Sequence, residues 1–175
     1  MPTKKQIAEQ VVNGLELIYP DARCSLEYAR PYELMIAGRL SAQCTDARVN
    51  IVTKDLFAKF PTLKSFADAD PAEIAEIIRP CGLYKTKAKS IHEMAHQLYY
   101  DLGGKIPDSI EELTKLSGIG RKTANLIMGD VHGKPAIVAD TPHNRPFRSH
   151  RFKGPEKGRS GPEKGYPSRK KLGFL

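Results

Sequence analysis

Leu116-Ser117-Gly118-Ile119-Gly120-Arg121-Lys122-Thr123-Ala124-Asn125 is the stretch that decides the fold. Two glycines one residue apart allow a sharp turn between short helices. With no Cβ at Gly118 or Gly120, the backbone can come close to a ligand. The helix that follows points its unpaired N–H groups the same way, an arrangement suited to a phosphate anion. Arg121 and Lys122 fall in that helix's first turn, where a cation works against the helix dipole. Two in succession suggest a reason other than stability. Gly-x-Gly by itself is also a common helix–helix turn with solvated basic neighbours, and the short pattern does not separate the two readings.

Outward from the hairpin, apolar residues recur at helical spacing. Residues 4–19 read as a helix with Ile7, Val11, Val12, Leu15 and Ile18 on one face, ended by Pro20. A second runs from Pro31 to about Gln43. A third, over 46–60 with Thr45 as its cap, buries Val49, Val52, Leu56 and Phe57. Residues 63–69 make a short helical turn. Asp70-Pro71 opens another helix, broken at Pro80-Cys81-Gly82. The longest helix covers 84–102, a short one starts at Ser109, and the last runs from Arg121 to about Val131. No stretch alternates apolar and polar residues, so residues 1–140 predict an all-α body with short connections.

The formal charge of +8 invites a nucleic-acid reading, but its distribution removes most of that support. Residues 141–175 hold ten Lys+Arg against two Asp+Glu, and residues 1–140 hold eighteen of each sign. This tail has five Gly, five Pro and no Ala, Val, Ile or Met. By composition it is expected to be irregular or disordered. The N-terminus has no apolar signal core and the chain no apolar run of spanning length, so the expectation is a soluble cytoplasmic protein. Three scattered cysteines, Cys24, Cys44 and Cys81, read as reduced thiols, the last two as small core residues. His92 and His96 stand at i,i+4, a spacing open to metal, although a solvated helix face accounts for them better.

Four ordered segments carry a resemblance. They are Leu40-Ser41-Ala42-Gln43-Cys44-Thr45-Asp46, Gly82-Leu83-Tyr84-Lys85-Thr86-Lys87-Ala88, the hairpin, and Pro135-Ala136-Ile137-Val138-Ala139-Asp140-Thr141. Together they resemble the endonuclease III-like DNA repair glycosylases and lyases over about residues 1–141. The resemblance implies a helical DNA glycosylase fold, with an N-terminal helix (1–21) that packs with the C-terminal part. It also implies a six-helix domain over 22–140, with the helix-hairpin-helix at about 109–131.

It further implies removal of oxidised pyrimidines, and cleavage at abasic sites, in double-stranded DNA. Lys122 matches the amine that attacks C1′. An amine attacks only when unprotonated, so such a lysine needs desolvation or cationic neighbours, for which Arg121 and the helix N-terminus are placed. Asp140 matches the carboxylate that assists base loss, although a loop or cap acid reads equally well from the residues alone. Since C1′ is hidden in the duplex, the target base must be extruded. Gln43 matches the residue filling the gap, and Leu83 a wedge beside the partner base. Without the resemblance, Gln43 is a helix-end polar residue and Leu83 ordinary core packing. Gly118, Gly120, Arg121 and Thr123 would hold the phosphate backbone.

The sequence also departs from that family. Ser117 stands where proline is usual in the hairpin. The family's four cysteines, spaced C-x6-C-x2-C-x5-C for a 4Fe-4S cluster, have no counterpart after Cys81, so no cofactor is supported and no metal ligand is assigned. The break after Asp140 is expected from a missing or frame-shifted C-terminal part. Back-translation of residues 146–170 shifted by one base permits a family-like continuation, which the source DNA would decide. Loss of that part predicts an uncovered apolar face on the first helix. A non-catalytic helix-hairpin-helix DNA-binding module needs neither Lys122 nor Asp140. A related adenine glycosylase usually lacks the lysine. An inactive product of a damaged gene stays open as well.

Overall fold

In the computed structural model residues 2–138 are described, and among them every regular element is helical. Asp140 and the basic tail lie outside the described residues. Helix α1 (Lys4–Ile18) starts at a reciprocal cap, with Thr3 N–H donating to Gln6 Oε1 at 2.8 Å and Gln6 N–H to Thr3 Oγ1 at 3.3 Å. None of its residues is buried.

Helix α2 (Pro31–Leu40) is central. Leu34, Met35, Ile36, Ala37 and Leu40 are wholly buried, so this short helix is apolar nearly all round. Pro31 suits its first position, and Glu33 accepts from Ala29 and Arg30 N–H at 2.7 and 3.1 Å. It ends at Leu40 rather than Gln43, because Gln43 has a φ of +57°, which no helix accommodates. Helix α3 (Asp46–Lys59) follows. Thr45 occupies its cap position without capping through its side chain. Asp46 instead accepts from Ser25 Oγ, while Asn50 bonds Glu27 N–H and Ser25 C=O, pinning the segment before α2 onto α3.

Helices α4 (Leu63–Ala67) and α5 (Pro71–Ile78) both pack on α6 (Tyr84–His96). Asp70 caps α5 through Ala72 N–H at 2.8 Å, as Asp-Pro predicts. Phe66 of α4 is fully buried among the rings of Tyr32, Phe57 and Phe60. The long helix expected to reach residue 102 relaxes after His96 into a π-helical turn over Gln97–Asp101. Gly103 and Gly104, both at positive φ, end it. Helix α7 (Ile110–Leu113), capped by Ser109, and α8 (Arg121–Asp130) form the hairpin pair, and α8 lies against α2. No helix among the described residues is long and apolar enough to cross a membrane.

Candidate functional site

The last turn of α2 meets α8 at Gly38, α6 and the hairpin at Arg39, and α6 again at Leu40. At Gly38, α8 is pressed so close that a Cβ there would lie 3.0 Å from Thr123 Cγ2. Arg39 donates from Nε to Ser90 Oγ of α6 at 2.8 Å, and its stem lies over Gly118 of the hairpin. The carbonyl of Leu40 accepts from the Lys87 ammonium at 2.9 Å, and the same ammonium donates to Cys81 C=O at 2.9 Å. Residues leading to Gln43, residues leading to Leu83, and the start of α8 are thereby held by one helical turn.

The hairpin has a tight geometric basis. Gly118 sits at φ +76°, and a Cβ on it would lie 2.8–2.9 Å from Arg39 and from Ser90 Cβ. Ile119 is buried, which roots the turn in the core. Ser117 donates from Oγ to Glu93 at 2.7 Å and from N–H to Gln97 Oε1 at 3.0 Å, so this hairpin is docked on α6 by hydrogen bonds that proline could not make. Gly120 caps α8 without a side-chain bond and has open space around it. Arg121 and Lys122 are exposed at the head of α8, and Thr123 is half-buried toward α2.

Gln43 and Leu83 are the two non-glycine residues at positive φ among those described, at +57° and +48°, and both are exposed. A left-handed conformation costs an ordinary side chain roughly 1–2 kcal/mol, and such strain gathers at functional sites. Leu83, 63% exposed, is not core packing, so that reading is corrected. Gly82 before it also has positive φ, so the turn holds an apolar side chain out in solvent.

Lys87, which the sequence placed in a matching segment without a role, is completely buried. Burial pulls its ammonium below the usual lysine range. The signal was legible: with Ile91 and Met94 it shares the apolar stripe of α6, an unusual place for a lysine. Cys81 is buried beside Cys44, and burial first, then that neighbour, pushes its thiol up to about 11. Cys24 lies elsewhere, beside Asp46 and Asp130. A 4Fe-4S cluster takes four thiolates; three cysteines divided between two places do not fit that group. His92 and His96, with ring centroids 6.4 Å apart, line with Glu93, Gln97 and Ser117 the shallow groove where the hairpin docks. Among the described residues no three His, Cys, Asp or Glu are grouped to hold a metal.

Among the described residues, two helices joined by a glycine hairpin in an all-helical body define the class of helix-hairpin-helix proteins. The sequence pattern of the HhH-GPD superfamily base excision DNA repair proteins matches residues 36–160. Endonuclease III of Bacillus subtilis (strain 168) is 44% identical over 124 residues, covering 71% of this chain and 57% of that protein. A solved non-covalent endonuclease III–DNA complex superimposes with a TM-score of 0.74 at 43% identity, over 83% of this chain and 67% of that one. A trapped endonuclease III–DNA covalent intermediate, in its estranged-adenine complex, gives 0.73 at 43%, over 81% and 66%. The chain belongs to the HhH-GPD superfamily of base excision DNA repair proteins, on its endonuclease III-like side. It spans little more than half the length of the Bacillus relative.

Proposed function

We propose that this chain acts in base excision repair as a DNA glycosylase and abasic-site lyase on double-stranded DNA, with oxidised pyrimidines as its bases. The observation that carries the reading is the convergence on α2's last turn. One turn holds the head of α8 with Lys122, the strained Gln43 turn and the strained, exposed Leu83. A binding module alone needs no lysine at the head of α8, where a cation works against the helix dipole. The relative trapped covalently on DNA is 43% identical to this chain over the part that matches, and supports a covalent route.

In that route the Lys122 amine attacks C1′ and the glycosidic bond breaks, the base leaving with a proton. The C1′–O4′ bond then breaks, O4′ taking a proton, and the nitrogen lone pair closes the protonated Schiff base to C1′. Loss of a proton from C2′ then expels the 3′ phosphate, which cuts the strand. Asp140 is the proposed carboxylate for base loss. Gln43 fills the vacated gap and Leu83 wedges beside the partner base. Gly120, Arg121 and the amides opening α8 hold a backbone phosphate. Gly118 and Thr123 serve that contact by shaping the turn and seating α8 on α2. The protein works as a monomer.

Incubation with abasic-site duplex and borohydride tests this. Wild type should form a covalent adduct and Lys122→Ala none. Folded wild type that traps nothing sinks the enzymatic reading. A second reading, a family member that does not sustain an active fold, is favoured by the uncovered face of α1, and that same result would support it.

A further inference from the structure

We infer that Lys87 is a positioning residue for base extrusion, tying the turn that carries Gln43 to the turn that carries Leu83. The inference rests on the function proposed above for those two side chains. Its basis is the buried ammonium that donates at 2.9 Å to both Leu40 C=O and Cys81 C=O. Leu40 is the last residue of α2, three before Gln43, and Cys81 closes a 3-10 turn, two before Leu83. Carbonyls at helix ends lack intrahelical partners, and a cation there also suits the helix dipole. One ammonium thus closes the C-terminal ends of two elements at once.

Packing alone does not ask for a lysine here. Its neighbours on the stripe are Ala88, Ile91 and Met94, and an apolar side chain of equal length would fill the space. Both acceptors are main-chain carbonyls, so the lysine fixes the path of two backbones rather than pairing with a charge. Both of those backbones then enter the left-handed region at an exposed, non-glycine residue. The tie also reaches the hairpin: Lys87 C=O accepts from Ser90 Oγ at 3.0 Å, and Ser90 accepts from Arg39, which covers Gly118.

The full chain and its Lys87→Met variant should be compared for borohydride trapping on two substrates, an abasic site in duplex and one in a single strand. Extrusion is needed only in the duplex. The variant should lose about 100-fold in trapping rate on duplex, the scale of a misplaced positioning group, and match wild type on the single strand. Equal rates on duplex, or parallel losses on both substrates, overturn the inference. Wild type that traps on neither substrate sinks the proposed function instead. In that case, or if Lys87→Met does not fold, hydrogen exchange on wild type decides. Amides of 41–44 and 81–84 should open with one shared free energy, and separate opening overturns the tie.

Discussion

Gly118 and Gly120 look alike in sequence, and both read as glycines that let a phosphate approach. The structure separates them. Gly118 has positive φ and no room for a Cβ against Arg39 and Ser90, whereas Gly120 has φ −92° and open space. Gly118→Ala should therefore destabilise by about 1–3 kcal/mol, the cost of overpacking together with a left-handed side chain. Gly120→Ala should cost only about 0.5–1 kcal/mol, the loss of a favourable cap residue, while weakening DNA binding. Urea midpoints for the two variants check this, and equal shifts would contradict it. Leu83 shows the reverse limit on reading residues. A leucine beside Gly82 is ordinary core material by composition, and only its backbone conformation and exposure reveal it as a tip. Such strain is set by surrounding turns, so no local pattern announces it. Lys87 was legible from its place on an apolar stripe, but its two acceptors come from distant backbone.

At the scale of elements, α8 is held at both ends by side chains from other segments. Ser117 docks its leading turn on α6, and Tyr28 donates to Asp130 Oδ2 at 2.5 Å at its trailing end. Helix positions followed from spacing and caps with small errors, and those errors have physical causes. The end of α2 was misplaced by a left-handed Gln43, and the end of α6 by a π-helical turn whose extra residue periodicity does not show. Ties between elements 102 residues apart, such as Tyr28 to Asp130, were not visible at all. Tyr28→Phe should cost about 1–2 kcal/mol, since a hydrogen bond to a charged acceptor is lost. Burial, then the bond to Asp130, pushes the Tyr28 phenol well above the usual tyrosine range. Its stabilisation is thus complete below the pH at which an unfolded tyrosine titrates, and is lost as pH rises through the folded value. Cys81, at about 11, adds a loss of the same sign above the ordinary thiol range. Alkaline unfolding curves should show stability falling as pH rises from about 9, with a smaller fall in Tyr28→Phe. Identical pH profiles for wild type and variant would refute the assignment.

For the whole molecule, the body organises around α2, and α1 stands outside that organisation. Ile7, Val11, Val12 and Leu15 share one face, yet each is 43–53% exposed, while Leu17 and Ile18 are more exposed still. Among the described residues nothing buries this face. The all-α body was legible because apolar periodicity is a local property. What covers a helix is a property of the whole assembly, and the sequence of α1 alone describes only its need. The consequence is a sharp contrast in energetics. Leu56 is wholly buried in α3, so Leu56→Ala should cost about 2–5 kcal/mol through lost transfer energy and a cavity. Leu15→Ala, on a face already in water, removes little that folding buries and should shift the urea midpoint hardly at all. A Val11→Glu, Leu15→Glu pair should leave the midpoint nearly unchanged while sharply reducing binding of a hydrophobic dye, because it puts two charges in the middle of that face. If Leu15→Ala destabilises as strongly as Leu56→Ala, α1 is packed in solution and the uncovered face does not exist there.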